Sequence, residues 1–263
     1  MKKAAIVFTG LLMSTMVLPT IAFAEETGAV YTSNGAVTFT ANTDPTKPVD
    51  PLQPENPITP TDPTNPGENG EGGEAKPGTA GPLSIDFASS LQFGEQKITS
   101  TTEVYHAETQ KYTTKDNEKT EGPNYVQVTD NRGKESGWTL KVKQNGQFKN
   151  ANGKELTGAK IVLNNGHIVT NSSSAAPTGN EIITLVPASD DTSSENYGVE
   201  SLVMSAENGQ GAGTYLHAWG DSASAAESIT LEVPGSTTKY ATEYTTTFTW
   251  TLSEIPANEE PTT

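Results

Sequence analysis

Three histidines, at positions 106, 167 and 217, are the only imidazoles in a 263-residue chain that has no cysteine. No two of them form an H-x-x-x-H pair, and no Gly-x-Ser-x-Gly elbow accompanies them. Asp190-Asp191 stands in "ASDDTSSEN", an acid-rich run without the ligand spacing of a calcium loop, so a solvated loop is its plain reading. A glycosidase would need two carboxylates about 5–10 Å apart, and linear order does not say which acids approach each other. No catalytic set, metal site or cofactor is therefore expected. What does repeat is a triplet. Trp138-Thr139-Leu140 and Trp250-Thr251-Leu252 are identical, in a chain with only three tryptophans. On a strand the Trp and Leu of each triplet point the same way. Burying each of them contributes roughly 1.5–3 kcal/mol, so core comes first. Trp is also rigid and amphipathic, which suits stacking on the C–H face of a sugar. On the opposite side Thr247, Thr249 and Thr251 could donate hydrogen bonds to a glycan.

The elements that must position these residues show period-two alternation. Leu83, Ile85 and Phe87 share one side of "LSIDFA". Val126 and Val128 share a side of "YVQVTD", with Gln127 opposite. Trp138, Leu140 and Val142 oppose Thr139, Lys141 and Lys143. Ile229, Leu231 and Val233 oppose Thr230 and Glu232, and Phe248, Trp250 and Leu252 oppose Thr249 and Thr251. This is the pattern of half-buried strands. Asn-Gly pairs beginning at 145, 152, 165 and 208 supply turns between them. No long helical stripe appears. The expectation is an all-β domain, an antiparallel β-sandwich or a relative of one, over residues 82–258.

Composition divides the rest. Residues 1–24 have a basic "MKK", an apolar stretch and a closing "AFA", the pattern of a secretory signal peptide cleaved before Glu25. An exported chain without cysteine must hold its fold without disulfides. The formal charge is -16. Losing the leader removes Lys2 and Lys3 and no acid, so the mature charge is -18. Such a surface excludes nucleic acid as a partner and repels anionic lipid and anionic wall polymers. Residues 25–42 carry Val30-Tyr31-Thr32 and Ala36–Thr40 around "SNG", which predicts a short β-hairpin, either frayed or docked on the main domain or a partner. In residues 43–81 proline falls at every third position from Pro45 to Pro66. That predicts a polyproline II rod of roughly 65 Å, at about 3.1 Å per residue, acting as a linker. Residues 259–263 read as a disordered tail.

The opening "GPLSIDFASSLQFGEQKI", the proximal "YVQVTDNRGKESGWTLKVKQNGQF", the distal "FTWTLSEIPAN" and the Asp/Pro-rich run before them together resemble the WxL-domain surface proteins of low-GC Gram-positive bacteria. The likeness spans about residues 81–258, and the leader and linker also fit. The family's motif positions correspond to Trp138, Leu140, Trp250 and Leu252, with no departure in either triplet. The resemblance implies a secreted protein on the cell wall surface, held non-covalently through peptidoglycan by a C-terminal domain. It also implies co-assembly with a membrane-anchored WxL-interacting protein and other WxL proteins, and a role in adhesion, with host extracellular matrix a further candidate ligand. The last residues contain no sorting motif followed by an apolar tail and basic residues, which agrees with non-covalent retention. A second expectation is an adhesion or interaction subunit retained by a protein partner through strand addition. Finally, the shared alternation predicts that the two motif strands are neighbours in space, a shared sheet being one way to achieve this, with the two indoles near each other.

Overall fold

The computed structural model describes residues 28–65, 67, 72–187 and 199–254. The leader, the Asp190-Asp191 run and the tail at 259–263 lie outside these residues. Contacts divide the chain into residues 1–38 and 39–263. In the first unit, residues 28–38 contain no strand and are exposed throughout. Residues 39–42 are likewise strandless and exposed. Among the described residues 28–42, the expected hairpin over 25–42 therefore forms no strand. Two strands alone bury too little apolar surface to offset their ordering.

The described residues of the larger unit hold sixteen strands: β1 (Ile58–Asp62), β2 (Gly73–Glu74), β3 (Leu83–Ala88), β4 (Glu103–His106), β5 (Gln110–Thr114), β6 (Lys119–Gly122), β7 (Asn124–Asp130), β8 (Trp138–Gln144), β9 (Lys160–Leu163), β10 (Gly166–Thr170), β11 (Thr178–Gly179), β12 (Ile183–Leu185), β13 (Ser201–Ala206), β14 (Gly213–Trp219), β15 (Ile229–Val233) and β16 (Phe248–Ser253). The one helix among the described residues, α1 (Ala225–Ser228), is a single turn. The strands form four antiparallel sheets, in the orders β2-β1-β5-β6, β10-β14-β7-β3, β11-β13-β8-β16 and β12-β9-β15-β4. The chain is all-β, as its alternation requires.

The sheet β10-β14-β7-β3 is covered on both faces. Alternation sends Val126, Val128, Tyr215 and Trp219 into the main core, which they share with Trp138, Leu140, Val142, Ile161, Leu163 and Ile229. It sends Tyr125, Leu216 and Ala218 into a second core with Ile58, Phe87 and Tyr112. Every residue of β7 is consequently buried, Gln127 included. The simple inward pattern expected for "LSIDFA" also breaks. A register shift between Ile85 and Phe87 turns Phe87 into the second core, whereas Leu83 and Ile85 border the first.

The proline run forms the cover of that second core rather than a free linker. Ile58–Asp62 pairs with Gln110–Thr114 in the register Ile58↔Thr114, and Val49 bridges Pro57. The Gln127 side chain holds the run in place. Its Oε1 accepts the Val49 N–H at 2.8 Å, and its Nε2 donates to the Lys47 carbonyl at 3.0 Å and to Asp86 Oδ2 at 2.8 Å. Asp86 also accepts from Ser84 and Thr129. Burial pushes its carboxyl above the usual range, against the opposing effect of these three hydrogen bonds. Once strand pairing and side-chain donors satisfy the backbone between prolines, a periodic run has no need of the solvated left-handed helix.

Candidate functional site

Both triplets lie in the sheet β11-β13-β8-β16. β8 sits between β13 and β16, and β16 pairs with it without a register break: Trp250↔Val142, Thr251↔Lys141, Leu252↔Leu140 and Ser253↔Thr139. The motif strands are thus direct neighbours. The antiparallel register matches leucine to leucine but separates the tryptophans. The position facing Trp138 would be residue 254, four along from Trp250, or about 13 Å at about 3.3 Å per residue. The expectation that the two indoles lie near each other therefore does not hold.

Trp138 and Leu140 are fully buried. The indole Nε1 of Trp138 donates to the Gly211 carbonyl at 3.0 Å, and its ring lies 6.3 Å from Tyr215. Gly211 has φ +82°, and a Cβ there would stand 2.6 Å from Trp138 Nε1, so glycine is required on both counts. Just before the triplet, Arg132 forks onto Asp130 through Nε at 2.9 Å and Nη2 at 2.7 Å, and Nη2 also donates to Gly137 O. This joins the end of β7 to the start of β8. Trp250 and Leu252 are half-buried. The Trp250 ring lies 6.2 Å from Trp219, which lies 5.2 Å from His217. A narrow apolar crevice between Trp250, Phe248, Leu91, Leu163 and Leu185 has room for about one water.

The threonine face is exposed but already hydrogen-bonded. Thr249 Oγ1 donates to Asn145 Oδ1 at 2.9 Å, and Asn145 Nδ2 donates to Thr247 Oγ1 at 2.9 Å. Thr251 Oγ1 donates to Glu200 Oε1 at 2.9 Å, and Glu200 also meets Lys141 at 3.7 Å. The hydroxyls of Thr249 and Thr251 therefore offer lone pairs to a ligand, not the donated protons the sequence suggested.

The ladder continues past this face to a second feature. Lys149 bridges Thr245, and beyond it opens a cleft of about 650 Å³, a size that holds a small ligand. Its walls include Lys149, Lys154, Glu155, Thr157, Thr238 and Tyr240. Both sides are braced. Asn150 Oδ1 accepts from the Asn152 and Lys154 N–H groups at 3.0 and 2.9 Å. Opposite, Lys239 Nζ donates to the carbonyls of Pro234 and Thr237, and Tyr244 Oη accepts the Tyr240 N–H at 3.1 Å. Lys149 pairs with Glu155 at 2.9 Å, and the Tyr240 side chain stands in solvent. The "NANG" turn between two lysines was visible in the sequence. Its opposing wall, more than eighty residues away, carried no pattern.

Among the described residues no group of three His, Asp or Glu gathers as a metal site. No helix there is long and apolar enough to cross a membrane. A family model described as "WxL domain surface cell wall-binding" matches residues 26–256. The chain belongs to the WxL family. Neither a curated protein nor a solved structure matches it. The WxL match begins ahead of the proline run and ends just beyond β16, so it takes in both cores. It makes the chain a cell-surface, wall-binding domain.

Proposed function

We propose that this WxL chain is exported and held on the wall non-covalently through peptidoglycan, with the triplets as the frame and the cleft beside them as the contact. The observation that carries this is the cleft itself. In a chain of charge -16 it brings together two ammonium groups, several hydroxyls and an exposed phenol, on braced walls. Hydroxyls and a phenol suit the polar edges and C–H face of a sugar, and an ammonium suits a lactyl or peptide carboxylate. Trp138 and Leu140, fully buried, support the sheet from inside. The Thr247 hydroxyl and the outward lone pairs of Thr249 and Thr251 could extend the contact along β16.

The test is sedimentation with purified, protein-free peptidoglycan. Lys154→Ala with Tyr240→Ala is expected to lower the bound fraction at least tenfold while unfolding is unchanged. Full retention of binding by that double variant would move the contact off the cleft. Thr249→Val with Thr251→Val then reports on the threonine face.

A second reading has its own support. β16 is the last strand of its sheet, and strand addition there would let a membrane-anchored WxL-interacting protein, another WxL protein or a host matrix protein hold the domain. Walls stripped of protein separate the two readings, because a domain retained by a partner does not bind them.

A further inference from the structure

We infer that the occupant of the β16 edge is residues 28–42 of a second copy of this chain. The inference rests on the strand-addition reading and is independent of wall binding.

The edge is open at the motif itself. The Asn145 N–H bonds the Thr247 carbonyl at 2.9 Å, which fixes 145 and 247 as a hydrogen-bonded pair. Continuing that alternation in the β8–β16 register turns the main chains of Thr249, Thr251 and Ser253 toward β8, and those of Phe248, Trp250 and Leu252 outward. No strand pairs with that side among the described residues. Edge strands are ordinarily blunted by lysine, proline, a bulge or a charge. "FTWTLS" has none of these, and its register with β8 is unbroken.

The donor is legible in the same chain. Residues 28–42, "GAVYTSNGAVTFTAN", contain no charged residue and no proline, although the whole chain carries -16. Two neutral strands can meet where most of the surface would repel. In "AVTFT" the residues alternate as they do in "FTWTL": Val37 and Phe39 on one side, Ala36, Thr38 and Thr40 on the other. Yet Val30, Tyr31, Val37 and Phe39 are 95, 91, 76 and 88% exposed, and no residue from 28 to 42 is in a strand. The WxL match starts at residue 26, so this segment lies within it, and its four large apolar residues are more exposed than any other large apolar residue among the described residues. Docked on β16, Val37 and Phe39 would join Phe248, Trp250 and Leu252 over the crevice, and Thr38 would join Thr249 and Thr251 outside.

Sedimentation velocity on the exported chain, from micromolar to hundreds of micromolar, tests this together with amide exchange. The expected result is concentration-dependent association, with slowed exchange at Phe248, Trp250 and Leu252. Val37→Asp with Phe39→Asp is expected to weaken association at least tenfold without changing the unfolding curve, since both side chains are exposed. A peptide of residues 28–42 added to that variant should restore the slow exchange at β16. Association that persists in the variant, or that protects other strands, overturns the inference. Peptide-induced protection in a chain that stays monomeric overturns the second copy as occupant and leaves the open edge standing. No protection by peptide or by concentration overturns this inference and leaves strand addition by a different partner to be decided by the protein-free walls, which a partner-retained domain does not bind.

Discussion

Trp138 and His217 show how much single residues carry in this fold. Trp138 fills the core beside Tyr215 and satisfies the Gly211 carbonyl. Trp138→Ala leaves both a cavity and an unpaired acceptor, and is expected to cost about 3–5 kcal/mol. Trp138→Phe keeps most of the volume and loses the hydrogen bond, so about 1–3 kcal/mol is expected. Urea unfolding of the two variants checks the order. His217 is a pH sensor for stability. It is fully buried, and burial lowers its pKa to about 4 from 6.5, with His167 adding to the effect. As pH falls the unfolded chain takes up the proton first. The stability is therefore whole above pH 6.5 and is lost progressively down to about pH 4, by roughly 3 kcal/mol. Urea midpoints between pH 7 and pH 4 should fall in the wild type, and the part due to this ring should vanish in His217→Leu. A slope unchanged by that substitution would assign the effect to the carboxylates.

Among the elements, legibility followed alternation. The runs at Trp138–Gln144, Ile229–Val233 and Phe248–Ser253 were readable because one face meets the core and the other, Thr139 apart, is at least partly open to solvent. β7 could not be read fully, since a strand covered on both faces has no polar side. Gln127 looked outward in the sequence and is in fact the clamp on the proline run. That run misled more deeply. A three-residue period is the pattern of polyproline II in isolation, but Ile58 and Val49 sit between the prolines and find Tyr112 and Tyr125 to pack against. Of the candidate site, the motif strands and their adjacency were legible. The leucine-to-leucine register and the cleft were not, because both depend on which distant segments meet. If the run is structural, Ile58→Asp should destabilise the whole domain by about 2–5 kcal/mol, as a buried charge and lost apolar contact require. A free linker would tolerate it. Limited proteolysis adds a second readout: Gln127→Leu should expose the peptide bonds near Val49 to cleavage while the main core remains intact.

For the whole molecule, charge and contact act at different ranges. The chain carries -16 overall, whereas the cleft holds Lys149 and Lys154 against Glu155. An anionic wall polymer is therefore repelled at a distance and attracted only when it has entered the cleft. Salt separates the two effects. The screening length is about 30 Å at 0.01 M and about 8 Å at 0.15 M, so raising salt removes the long-range repulsion first. Charge pairs and hydrogen bonds at contact distance inside a cleft are screened much less. Binding to walls that retain their anionic polymers is thus expected to rise between 0.01 and 0.15 M salt. Binding to peptidoglycan stripped of those polymers should change little. Sedimentation of the two wall preparations at both salt concentrations measures this directly. A steep loss with salt on stripped peptidoglycan would mean that the ammonium groups, rather than the hydroxyls and Tyr240, supply most of the affinity. Lys154→Ala should then be far more damaging than Tyr240→Ala, whereas a flat response predicts the reverse order.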